Sequence, residues 1–84
     1  MDYIAIIHQF IDPILTHPEL VKIEEIKGDK ENDLIYLISC TKEDTGRLIG
    51  KHGSTADAIR EVLSIAAKDH KQRVHIKLAT LEEE

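Results

Sequence analysis

Between residues 41 and 57 the chain writes two helix starts with a glycine-bracketed turn between them, and no other feature restricts the fold as much. "TKED" at 41–44 and "STAD" at 54–57 each place a hydroxyl residue three positions before a carboxylate. In this pattern side-chain oxygens satisfy the unpaired N–H groups of a first helical turn. Two starts this close require a short helix from about Lys42 to Ile49 and a longer one from about Thr55 to Lys68, so the chain must reverse within Gly50 to Gly53. Glycine at both ends of "GKHG" removes two Cβ atoms and permits φ > 0. Gly46 falls inside the short helix, where glycine is a poor helix former; it is assigned to close packing or to the approach of a ligand strand.

The flanking segments supply one more helix and three strands. "DYIAIIHQFIDPIL" carries Ile4, Ile7, Ile11 and Ile14 at near-helical spacing behind Asp2 as an N-cap, with Pro13 ending the helix or starting a new turn. "ELVKIEEIKG" and "DLIYLISC", joined by the polar "GDKEN", read as two strands of a loose hairpin, the second apolar enough to lie inside a sheet. "QRVHIKLA" alternates Val74, Ile76 and Leu78 with Arg73, His75 and Lys77, a strand with one wet face. The order is αββααβ. On the long helix the apolar arc of Ala56, Ala58, Ile59, Val62, Leu63, Ile65, Ala66 and Ala67 spans roughly 200°, wider than the stripe of a little over 100° that one core needs. That helix is therefore expected to touch both the sheet and a second body, either the first helix or another protein.

An 84-residue chain without repeats or linkers forms one small domain, residues 1–84, near the lower limit of what folds alone. The N-terminus lacks a basic leader region, no apolar run approaches the roughly 20 residues of a membrane span, and the single cysteine lies in an apolar strand. These features lead to the expectation of a cytoplasmic protein with a buried structural thiol. The net charge of -5 is unevenly spread. Residues 47–77 hold seven Lys or Arg against three acids, whereas residues 1–46 hold four Lys against ten acids and the tail "LEEE" ends in Glu82, Glu83 and Glu84. The glycine turn thus sits in the one basic segment of an acidic chain.

A bare backbone turn at a helix N-terminus, with Lys51 on it and Arg47 and Arg60 flanking, suits a phosphodiester. The spacing fits neither the phosphate loop of nucleotidases nor the dinucleotide fingerprint. Neither a nucleophile with a base beside it nor a set of metal-ligand spacings occurs, and paired acids such as Glu43 and Asp44 read as cap and solvated-face residues. No catalysis, metal or cofactor is expected. Tyr3, Phe10 and Tyr36, the three aromatics, lie far from the turn in sequence, so base stacking on an aromatic platform is not the expected mode.

Taken together, the apolar pair, "GKHG", capped helix, local charge and element order resemble the KH domain, whose G-x-x-G loop clamps about four nucleotides of a single strand. The arrangement looks like the bacterial type II KH fold, an α+β domain with a three-stranded sheet covered on one face by three helices. "GRLIGKHGSTADAIREVLSIAA" is similar to the small single-domain bacterial proteins of the KhpA type. The resemblance implies an RNA-binding protein in which Gly50 and Gly53 shape the loop, Lys51 and His52 meet phosphate, and Ile49 with apolar residues of the second strand floors a narrow groove for bases. Arg47, Ser54 and Arg60 complete the candidate set. It further implies an RNA chaperone or post-transcriptional regulator, a homodimer or a heteromer with a larger KH-domain protein, and links to cell-shape and cell-wall control. The alternative is an interaction subunit whose RNA contacts depend on that partner. "GSTAD" departs from the family habit of a basic residue after the second glycine, and Asp57 is expected to repel phosphate.

Overall fold

The computed structural model describes residues 2–50 and 53–81. Along them run α1 (Tyr3–Ile11), a short 3₁₀ turn (Pro18–Leu20), β1 (Lys22–Lys27), β2 (Asp33–Cys40), α2 (Lys42–Ile49), α3 (Gly53–Asp69) and β3 (Arg73–Thr80). This is the αββααβ order of the sequence reading. α1 begins where the Asp2 carboxylate accepts from the Ala5 N–H at 3.1 Å. It ends at Ile11, with Asp12 as C-cap before Pro13, which has no N–H to continue the ladder. Its buried stripe is Tyr3, Ile7 and Ile11, continued by Leu15, with Ile4 and Ile14 half-buried beside it. The seam thus runs one residue to the side of the isoleucine series.

β2 lies in the middle of the sheet, antiparallel to β1 and parallel to β3. A parallel neighbour requires a crossover, and α2 with α3 provides it. The register sets Tyr36 opposite both Glu25 and Ile76, and Ile38 opposite both Ile23 and Leu78. Strand alternation then turns Tyr36, Ile38, Cys40 and Ile76 toward the helices, where they are buried. Ile35, Leu37, His75 and Lys77 lie on the opposite face.

The core joins this face to Leu48 of α2 and to Ala56, Ile59, Leu63 and Ala67 of α3. Ile7, Ile38 and Leu63 are wholly excluded from solvent, and burial of each side chain contributes about 1.5–3 kcal/mol. Tyr36 donates to Glu25 Oε1 at 2.7 Å, while burial and then this bond push its phenol well above its ordinary pKa. Its ring tilts against Tyr3 with centroids 5.8 Å apart, and Tyr3 donates to Gln72 Oε1 at 2.9 Å. Two of the three aromatics are thereby committed to the core.

α3 starts at Gly53, two residues before the expected Thr55. Ser54 therefore lies inside the first turn and does not cap it from outside, and Asp57 bonds to Arg60, not back to Ser54. Of the broad apolar arc on α3, the half around Ile59 and Leu63 faces the core; Val62 and Ile65 are exposed, Ile65 by 61%. No helix of the described residues is long and apolar enough to cross a membrane.

Candidate nucleic-acid interface

The glycine turn is positioned by a buried carboxylate. Thr41 caps α2 as expected, its hydroxyl accepting from the Asp44 N–H at 3.3 Å. The Asp44 side chain, however, is fully buried and accepts from the Thr16 N–H at 2.9 Å, the Thr16 hydroxyl at 2.8 Å and the His17 N–H at 3.0 Å. This corrects the expectation of a solvated cap residue. Burial alone would raise its pKa, but the hydrogen bonds from Thr16 and His17 outweigh that cost and hold the carboxyl below its ordinary value. Thr45 beside it donates to the carbonyls of Ala79 and Cys40. The first turn of α2 is thus fixed to the α1–β1 connection and to the end of β3, and the glycine turn is carried at its other end.

Gly50 closes α2 with its N–H on the Gly46 carbonyl at 2.9 Å and φ of -88°. Neither glycine of the turn takes the positive φ that the sequence allowed. Gly50 is instead favoured by closeness, since a Cβ there would lie 3.1 Å from the Gly46 oxygen, a tight contact. Gly46 and Gly53 show the reverse: a Cβ at either would meet nothing within 4 Å. Close packing is therefore not the reason for Gly46. Lys51 and His52 lie outside the described residues.

Beside the turn an open groove of about 260 Å³ is lined by Leu48, Ile49, Gly53, Ala56, Asp57, Arg60 and Leu78. Ile49 is 63% exposed, a large apolar side chain held in water at the groove mouth. Arg47 is half-buried, its Nε without a partner among the described residues. Arg60 pairs with Asp57 at 3.2 Å, both exposed. Pairs of this kind contribute about 0–1 kcal/mol, so Arg60 is readily transferred to another anion. Asp57, expected to repel phosphate outright, is thus partly neutralised. Ser54 is exposed on the first turn of α3. The structure therefore brings Ile49, Gly53 and Arg60 to one groove; Gly50, Arg47 and Ser54 lie on the elements flanking it.

The opposite wall is a sheet edge. β3 pairs with β2 alone among the described strands. Arg73 donates its N–H to the Asn32 carbonyl at one end, and Leu81 donates to the Cys40 carbonyl at the other. Alternation along the strand then directs the N–H and C=O groups of Val74, Ile76 and Leu78 outward. The groove is lined mainly by apolar side chains, Leu78 brings β3 to it, and among the described strands the outer edge of β3 carries backbone donors and acceptors with no ladder partner. No residue of β2, expected to floor the groove with Ile49, lines it; Leu48, Ala56 and Leu78 take that place because α3 lies across the sheet beside β3. No aromatic ring lines the groove. Among the described residues no three His, Cys, Asp or Glu side chains converge on a metal-binding arrangement.

Comparison with known proteins agrees with this architecture. The family model of the KhpA/KhpB KH domain matches residues 5–78. The chain belongs to this KH-domain family. It is 37% identical over 68 residues to the RNA-binding protein KhpA of Chlamydia pneumoniae, covering 81% of this chain and 85% of that one. The RNA-binding protein KhpA of Chlamydia muridarum is 38% identical over 71 residues, 83% and 85% of the two chains. That of Listeria monocytogenes is 33% identical over 73 residues, 87% of this chain and 93% of its own. No solved structure gives a significant match.

Proposed function

We propose that this KH protein binds single-stranded RNA, without catalysis, through the turn of residues 50–53 and the groove beside it. The observation that carries the reading is the pair Gly46 and Gly53. Neither has a positive φ, and a methyl group at either would meet no atom within 4 Å among the described residues. Their contacts among the described residues give no reason for the missing side chains, and a phosphodiester backbone passing over α2 and the first turn of α3 supplies one. There the N-terminal dipole of α3 favours an anion, and Lys51, His52, Arg47, Arg60 and the Ser54 hydroxyl supply charge and hydrogen bonds. Bases turn inward onto Ile49 and Leu48, and their edges meet the open backbone groups of β3. The RNA-binding proteins named among the relatives support the same reading.

Partner association is assigned to the other side of α3, where Val62 and Ile65 are exposed. A second copy of the chain or a larger KH-domain protein covers them. A cytoplasmic role as an RNA chaperone or post-transcriptional regulator, with links to cell shape and the cell wall, completes the proposal.

Replacement of Lys51 and His52 by Asp tests the clamp. Binding of a four-nucleotide single-stranded RNA, followed by fluorescence anisotropy, is expected to fall at least about tenfold, with a shallower dependence on salt as a phosphate contact is lost. Unchanged affinity at low salt contradicts the proposal.

A further inference from the structure

At the opposite end of the α3–β3 groove lies a larger cavity, of about 620 Å³, whose lining includes Asn32, Ser64, Lys68, Lys71, Arg73 and His75 and no acidic residue. Lys68, Lys71 and Arg73 take part in no ion pair among the described residues. Arg60, Ser64 and Lys68 follow one another at i, i+4 and i+8, so a single outward stripe of α3 leads from the glycine-turn groove into this cavity. The stripe runs roughly 22 Å from Gly53 to Lys68 at 1.5 Å per residue.

Lys71 distinguishes the cavity from an ordinary basic surface. It is the one non-glycine residue with positive φ among those described, at 55°. Gln72 donates its N–H to the Ala67 carbonyl at 2.9 Å and Lys71 to that of Lys68 at 3.1 Å. These are the two bonds of a Schellman termination, which place Lys71 at the position where glycine is strongly favoured. The conformation is held by Asn32, which donates to the Lys71 carbonyl at 3.2 Å, and by the bond from Tyr3 to Gln72. A lysine kept where glycine fits better is accounted for by its ammonium group. Attraction to the C-terminal dipole of α3 accounts for a cation anywhere in the last turn, and does not require one at the strained position.

We propose that Lys68, Lys71 and Arg73 form a second phosphate subsite, which takes the RNA backbone after it leaves the glycine-turn groove and lengthens the footprint beyond about four nucleotides. The inference rests on the RNA-binding reading above. Free phosphate shares the chemistry, and the two sources are separated below.

The test uses the full chain, RNAs of four and about ten nucleotides, and two variants, Lys71→Gly and the double variant Lys68→Gln with Arg73→Gln. Both variants are expected to bind the four-nucleotide RNA within about twofold of the unmodified protein. Both should lose tenfold or more on the longer RNA, with the salt slope falling by about 0.7 for each cation removed. Lys71→Gly should melt at a higher temperature, which separates lost binding from lost structure. Equal effects on the two RNAs, or none on either, overturn the proposal. Shifts of the residue 68–75 amides with millimolar inorganic phosphate, not competed by the longer RNA, assign the cavity to a free anion and overturn it as well. If Lys51→Asp with His52→Asp leaves binding of the short RNA intact while the double variant still weakens the long one, the clamp fails and this subsite stands.

Discussion

Asp44→Asn replaces the buried acceptor by a side chain of the same shape that cannot accept at both ends. The carboxylate takes three bonds, two at Oδ1 from Thr16 and one at Oδ2 from His17. An asparagine that keeps its oxygen toward Thr16 sets its amide N–H₂ against the His17 N–H, two donors with nothing between them. One charge-assisted bond, worth about 1.5–3 kcal/mol, is lost and two others become neutral. The expected loss of stability is about 2–4 kcal/mol at pH 7, a large share of what a domain of this size has. The effect has a definite pH signature. The folded carboxyl lies below its ordinary value, so its contribution is complete above the unfolded pKa of about 3.9 and is lost as pH falls through the folded pKa. The difference between the two proteins should be constant from pH 7 to 5 and shrink as pH falls below the unfolded pKa toward 3. Urea unfolding followed by circular dichroism at each pH measures it. A difference under about 0.5 kcal/mol at pH 7, or one that does not shrink toward pH 3, refutes the assignment of Asp44 as an ionised buried acceptor.

Other consequences are independent of that carboxylate. Gly46→Ala fills open space in a helix and should raise stability by about 0.5–1 kcal/mol while weakening RNA binding; a destabilised variant contradicts the open geometry. Gly50→Ala presses a methyl group toward the Gly46 oxygen and should lower the melting temperature by a few degrees, about 1 kcal/mol of strain. Burial, and then the charge of Asp44, push the Cys40 thiol up to about 11, so modification by a disulfide reagent at pH 7.5 should be at least about a hundredfold slower in the native than in the urea-unfolded protein. Reaction at comparable rates excludes a closed core there. Ile65→Glu should abolish association in light scattering coupled to size exclusion, leaving the melting temperature of the monomer unchanged; a wild-type protein that is monomeric at all concentrations removes the interface from α3.

Most of the fold was legible because its signals are local. The α2 boundaries, Lys42 and Ile49, follow from Thr41 as a cap and Gly50 as a stop, and β3 follows from strict alternation. Signals that depend on distant partners were not. Asp44 carries the third position of a capping pattern, and nothing near it in sequence announces that Thr16 and His17, nearly thirty residues earlier, supply its donors. Gly28 was read as part of a flexible loop, yet its N–H bonds to the Asp33 carbonyl at 2.9 Å and a Cβ there would lie 2.6 Å from that of Asp33. "STAD" matched the capping pattern, yet the helix begins two residues earlier, at Gly53. Of the candidate site, Arg60 was legible from the local charge and Ile49 from the resemblance to the KH motif. The edge of β3 and the Lys71 turn were not, because both are set by the crossing of α3 over the sheet.

An NMR titration of the 84-residue chain with a four-nucleotide single-stranded RNA maps directly where a short RNA lies. The largest amide shifts are expected at residues 46–60 and along β3 near Leu78, with Val62 and Ile65 unmoved. Shifts centred on the exposed face of α3, or spread over the open face of the sheet with the turn unmoved, would contradict it.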